Sequence, residues 1–182
     1  MISSASNLGD VNAVKYELAG EVLRSSGTLR MRAIGRSMLP TVWPGDMLVF
    51  EPVRSNDVSE GDIVLFSNGR QFVAHRVVTK SNAPGGARVQ TQGDAVARAD
   101  SPVSASDLLG KVAFILRNGK SVEPGRSLRF SERAVAALVR RSEIVARVVV
   151  GAHGMRKSSH GRLQVYASRV QTSEDRAVPC QS

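Results

Sequence analysis

Between Leu29 and Leu116 the chain alternates short apolar runs with clusters of Gly, Pro, Asn and Asp, and this rhythm limits the folds open to it. Six segments read as strands: Leu29 to Ile34, Met47 to Phe50, Asp62 to Phe66, Phe72 to Thr79, Arg88 to Thr91 and Lys111 to Leu116. Ser67-Asn68-Gly69 and Asn82-Ala83-Pro84-Gly85-Gly86 supply hairpin turns, the first of which places Asp62 to Phe66 beside Phe72 to Thr79. Helical spacing flanks this region. Asp10 is a candidate N-cap for Val11 to Ser25, with an apolar stripe of Val11, Val14, Leu18 and Val22 expected to pack on the sheet. Ser104 is placed to cap a single helical turn before Leu108. Past Asn118-Gly119 the strand signal fades, and Ser131 is a candidate cap for a basic amphipathic helix to about Val150. There Arg133, Arg140 and Arg147 fall on one side, and Val135, Leu138, Val145 and Val149 on another. The expected fold class is mainly β (α+β), an antiparallel, partly closed sheet with flanking N- and C-terminal helices. The expected division is an N-terminal helix over 1–28, a β domain over 29–118 and a basic extension over 119–182, ending in a flexible tail.

Three boxes within the strand region carry chemistry. The first is Gly35-Arg36-Ser37-Met38-Leu39-Pro40-Thr41 followed by Pro44-Gly45-Asp46. The second is Gly61-Asp62-Ile63-Val64-Leu65-Phe66 running on to His75-Arg76-Val77. The third is Thr91-Gln92-Gly93-Asp94 with Asp100 six residues later. A serine hydroxyl needs an adjacent base to attack a carbonyl at neutral pH, and an imidazole can take that proton and return it to a leaving amine. A carboxylate on the other ring nitrogen would fix the tautomer, and Asp94 and Asp100 are the candidates. Alone, Ser37 reads as a turn serine and His75 as a packed strand residue; occurring together with the aspartates, they read as nucleophile and base. The Ser37 backbone amide is the first candidate donor for an oxyanion. Asp46 and Asp62 follow glycine in two similar turns and read as turn formers, and Arg76 is expected to pair with one of the aspartates.

Taken in order, the boxes resemble the signal peptidase I family of serine peptidases (S24/S26-type), which includes the LexA-type self-cleaving repressors. The likeness spans roughly Leu29 to Arg117. Bacterial members usually place lysine where this chain has His75, whereas the archaeal and endoplasmic-reticulum branch carries a His-Arg-Val setting and a Gly-Asp box with two aspartates. The resemblance implies a signal-peptidase-like or LexA-like sheet and a serine endopeptidase cutting after small residues in a leader or signal-like segment. It favours Asp100 as the partner of His75, with Asp94 shaping the site, and it sets Met38 and Pro40 against the substrate. Many signal peptidases add a serine hydroxyl from two residues before the nucleophile; here that position is Gly35, which leaves a second oxyanion donor unassigned.

Composition bounds the rest. The chain has 182 residues, 42% of them hydrophobic, enough to bury a real core. Cys180 is the single cysteine, so there is no internal disulfide and no cysteine zinc site; His153 and His160 sit in poor ligand company, and no metal is expected. No nucleotide fingerprint or phosphate-binding glycine loop occurs, and no cofactor is expected. Residues 1–110 carry 11 basic and 11 acidic side chains, whereas residues 111–182 carry 14 and 5, which supplies the whole net charge of +9. That extension suits an anionic membrane surface or an acidic partner, while scarce aromatics argue against nucleic acid. Absence of an apolar run of about 18 residues or a basic-apolar leader points to a cytoplasmic or peripherally membrane-associated protein. Two other readings are carried forward: a LexA-like autoproteolytic regulator, for which Ala19-Gly20 is the candidate bond, and a non-catalytic binding module using the basic extension.

Overall fold

The computed structural model describes residues 5–68, 71–84 and 86–141, together with positions 148 and 150. Among them, eight strands form one sheet whose pairings are all antiparallel. They are β1 (Leu29–Arg32), β2 (Met47–Pro52), β3 (Ile63–Ser67), β4 (Phe72–Ala83), β5 (Gly86–Gln92), β6 (Val103–Ser104), β7 (Gly110–Arg117) and β8 (Lys120–Val122). The spatial order is β1-β2-β7-β3-β4-β5-β6, with β8 against β7, and the path does not close. Helix α1 (Ala5–Ser26) precedes the sheet and α2 (Phe130–Arg141) follows it. The architecture is the mainly antiparallel α+β fold expected of the sequence.

The run Ile63-Val64-Leu65-Phe66 has no polar gap because β3 is buried on both faces. Its side chains alternate, so Ile63 and Leu65 join one core with Leu48, Phe50, Val112 and Ile115. Val64 and Phe66 join a second core with Val58, Val77, Val89 and Leu108. Each fully buried apolar side chain of this size contributes about 1.5–3 kcal/mol, so this short strand ties the two halves of the sheet firmly. The hairpin to β4 sets Val64 opposite His75, the neighbour relation that the Asn68-Gly69 turn signal predicts.

Several local expectations change. Helix α1 begins at Ala5, so Asp10 lies inside it and is not its cap. Val14 and Leu18 of the predicted stripe are 58% and 61% exposed. The docked face instead carries Tyr16, Ala19, Gly20 and Leu23: Leu23 enters the first core, and the small pair lets the helix approach Leu109 closely. Strand β8 went unseen because Lys120-Ser121-Val122 is exposed throughout and shows no alternation. Its signal was the turn itself, since Asn118 and Gly119 both take positive φ (52° and 75°), as a tight two-residue hairpin demands. Helix α2 is not capped by Ser131. Glu132, three positions into the helix, accepts a hydrogen bond from the Arg129 backbone N–H (2.7 Å), half of a capping box. Its packed face is Val135, Ala136 and Val139, with Leu138 turned outward. Ser104 does cap the turn Ala105–Asp107. Val145, Arg147, Val149 and the tail with His153, His160 and Cys180 lie outside the described residues. Among the described residues no helix is long and apolar enough to cross a membrane.

Candidate active site

Leaving β1, the chain makes one further pair with the end of the loop, where Ala33 donates to Asp46 O (2.8 Å) and Gly45 donates to Ala33 O (2.7 Å). The intervening segment is thereby closed into a compact loop holding Ser37. Pro40 and Pro44 keep it from continuing as helix, and Val42 donates to Met38 O across its tight turn (2.9 Å). Fully buried Asp46 accepts from the Trp43 amide (2.8 Å), the turn-forming role its Gly-Asp setting suggested. Asp62 does the same for the Ser59 amide (3.0 Å). Arg117, from the end of β7, clamps Asp46 through Nε and Nη2 and also donates to Thr41 O (2.7 Å).

A second arginine holds the loop from the other side. Arg76 Nε and Nη2 donate to Asp94 Oδ1 and Oδ2 (2.8 and 2.9 Å), and Thr41 donates its hydroxyl to Asp94. Nη1 donates to Gly61 O and Gly125 O (2.8 and 2.6 Å), while Nη2 also reaches Thr41 Oγ1 (3.3 Å). All five guanidinium protons thus have acceptors, and the buried charge is matched, as burial requires. Beside this pair the backbone itself supports Ser37. Ala95 donates to Ser37 O (2.7 Å), and a Cβ on Gly93 would fall 2.7 Å from Ser37 O and 3.0 Å from Ser37 Cβ, so only glycine lets the two segments lie this close. Behind the loop, fully buried Leu39 packs against Val139 and Val135 of α2 and against Trp43 and Ala95.

The structure brings Ser37, His75 and Asp100 into one line. His75 Nε2 lies 2.9 Å from Ser37 Oγ, and His75 Nδ1 lies 2.7 Å from Asp100 Oδ2. A carboxylate only accepts, so Nδ1 carries the proton and Nε2 is left to accept from the serine hydroxyl. The ring sits edge-on to Phe66 at 6.4 Å, which limits its tilt. Asp100 is fixed in turn by Thr91, whose carbonyl accepts from the Asp100 amide (2.8 Å) and whose fully buried hydroxyl donates to Asp100 Oδ2 (2.7 Å). Asp94, the other candidate, has both oxygens taken by Arg76 and Thr41. The Ser37 amide donates to no group among the described residues, and Gly35 offers no hydroxyl.

A cleft of about 990 Å³ opens over these three residues. Met31 and Arg32 of β1 line it, and so does Val103 of β6, so the sheet curls until its two end strands flank one space. Met38, Val42, Phe50 and Leu65 give it apolar walls. Met38 therefore stands at the cleft, whereas Pro40 is not among its lining residues. Sequence reasoning did not single out Thr41, Thr91, Arg117 or Leu39. Thr41 and Thr91 lie within the boxes, yet hydroxyls that support a site look in sequence like any others.

An antiparallel sheet carrying a serine, a histidine and an aspartate at one cleft defines a chain of the serine-peptidase or LexA-like autoprotease kind. Residues 5–96 match the family described as Peptidase S24-like, and the chain belongs to that family. A comparison with curated proteins finds no match.

Proposed function

We propose that this chain is a serine endopeptidase of the Ser-His-Asp type, similar to the archaeal and endoplasmic-reticulum branch of the signal peptidases. The observation that carries the reading is the unbroken contact from Ser37 Oγ through the imidazole of His75 to Asp100 Oδ2, at 2.9 and 2.7 Å, at the floor of an open cleft. Ser37 Oγ attacks the scissile carbonyl carbon as His75 Nε2 takes its proton, and Asp100 stabilises the imidazolium. The Ser37 amide faces the developing oxyanion. Collapse of the tetrahedral intermediate releases the amine, which takes the proton from His75. Water, activated by the same ring, then hydrolyses the acyl-enzyme. Met38 contributes to the wall beside the nucleophile, and Asp94 acts on the site through Arg76 and Thr41. The edges of β1 and β6 suit an extended peptide held by main-chain hydrogen bonds. By resemblance to the signal peptidases, the residues before the cut are small, as in a leader segment.

Self-cleavage at Ala19-Gly20, the bond considered for a LexA-like regulator, is disfavoured. Ala19 and Gly20 are both buried within α1, where the backbone cannot extend across a cleft. The test is cleavage of a peptide with alanine before the scissile bond, by the intact chain, Ser37→Ala and His75→Ala. Each substitution lowers kcat by about 10⁴-fold or more. Equal rates in all three proteins end the assignment, and spontaneous shortening of the purified chain would restore the regulator.

A further inference from the structure

Among the described residues, helix α2 is packed on one side only. Val135 and Val139 pack against Leu39, Trp43 and Ala95 with Ala136 buried beside them, and at 100° per residue the opposite side carries Phe130, Ala134, Ala137, Leu138 and Arg141. That outer side is unusually apolar for a solvent face: Phe130 is 90% exposed and Leu138 53%. Along one flank of the same helix, Arg133 and Arg140 line a groove of about 510 Å³ together with Arg126. Arg76 also borders the groove, but its five protons are all used internally, so it can hold no ligand. The other three differ. Arg133 uses only Nε, on Leu128 O (3.1 Å); Arg126 stands 3.6 Å from Asp62; and Arg140 has no hydrogen bond or ion pair among the described residues. Against these three cations stand Glu60 in the groove and Asp62 beside Arg126, leaving a net charge of about +1.

We infer that α2 is a docking surface for an anionic phospholipid bilayer, with headgroup phosphates in the groove at Arg126, Arg133 and Arg140 and Phe130 at the acyl boundary. Two independent features select this occupant. Guanidinium groups with unused forks fit phosphate oxygens, which any phosphate would satisfy. Exposed Phe130 on the adjoining outer side, with exposed Leu138 at its far edge, fits hydrocarbon, which free phosphate does not supply. The inference does not depend on the peptidase reading, because none of these side chains touches Ser37, His75 or Asp100.

The test is co-sedimentation of the full chain with vesicles of phosphatidylcholine alone and of phosphatidylcholine mixed with phosphatidylglycerol. Circular dichroism of each variant verifies its fold. Binding to the anionic vesicles is expected to be about tenfold or more tighter than to the neutral ones. The Arg133→Glu/Arg140→Glu variant and, separately, Phe130→Ser are each expected to reduce it about tenfold or more while keeping the wild-type fold. Equal binding to both vesicle types overturns the inference, and so does undiminished binding by either variant or no binding at all. Displacement by millimolar inorganic phosphate at matched ionic strength would show a free-anion site, and Phe130-independent capture of an RNA oligonucleotide a polyanion surface; either result overturns it too.

Discussion

Replacing Gly93 by alanine separates structural support of Ser37 from the chemistry proposed for it. The added Cβ would lie 2.7 Å from Ser37 O and 2.9 Å from Val96 Cγ2, whereas ordinary contact begins at 3.4 Å, so the two segments must part by about 0.7 Å. Ser37 O is a backbone atom already bonded to the Ala95 amide, so no flexible side chain can absorb the movement. Overpacking of this kind costs about 1–3 kcal/mol of stability. A nucleophile displaced by close to 1 Å loses about 10²-fold in kcat. The assay is urea denaturation alongside peptide cleavage. The expected result is a lower midpoint with unchanged slope, and a fall in kcat larger than any change in KM. Gly35→Ala is the control: it lies two residues before Ser37, yet its Cβ would meet nothing nearer than Ser37 Oγ at 3.9 Å, so both readings should stay near wild type. A Gly93→Ala protein with wild-type midpoint and kcat would refute the argument that this close approach positions Ser37.

Three further outcomes are expected. Arg76→Ala strands Asp94 in a buried site and lowers unfolding free energy by about 3–5 kcal/mol, while the double change Arg76→Met with Asp94→Leu recovers most of it; a single variant within about 1 kcal/mol of wild type contradicts this. Asp100→Asn leaves the unfolding midpoint nearly unchanged but reduces peptide cleavage by about 10⁴-fold, because the amide no longer selects the Nδ1-protonated ring; a loss under tenfold speaks against its orienting role. The Tyr16 phenol, pushed above its ordinary 10.0 by burial and then by the nearby Asp107 charge, holds its proton more tightly folded than unfolded. The associated stability is complete below pH 10 and is lost as pH climbs through the raised value, so Tyr16→Phe should flatten the alkaline fall in Tm above pH 10.

The sheet was legible where residues announce it locally. Asn68-Gly69 and the Pro84-containing turn signalled two hairpins, and the first placed Asp62 to Phe66 beside the strand that carries His75. Pairing of Arg76 with an aspartate was foreseeable, because a buried cation must find an anion. Choosing Asp94 over Asp100 as that partner was not. The decision depends on Thr91 and Thr41, whose hydroxyls hold one carboxylate against the imidazole and the other against the guanidinium. Tertiary context also reversed the face of α1. Val14 and Leu18 have the hydrophobic period, but Ala19 and Gly20 permit the closer approach, and packing overrode the pattern. Leu39 reads in sequence as one more loop residue. It becomes core only because α2, more than ninety positions later, arrives to cover it.

The strand order has a bearing on synthesis. Ser37 follows β1 and precedes β2, His75 sits on β4, and these two parts of the sheet are joined through β7, which spans Gly110–Arg117. A nascent chain that has emerged only as far as residue 96 lacks β7, the strand that joins β2 to β3, and it also lacks Asp100. The three groups can align only after the later segment threads into the middle, a long-range pairing that is slow to form. The Ser37, His75 and Asp100 constellation is therefore assembled late in synthesis, after β7 has emerged.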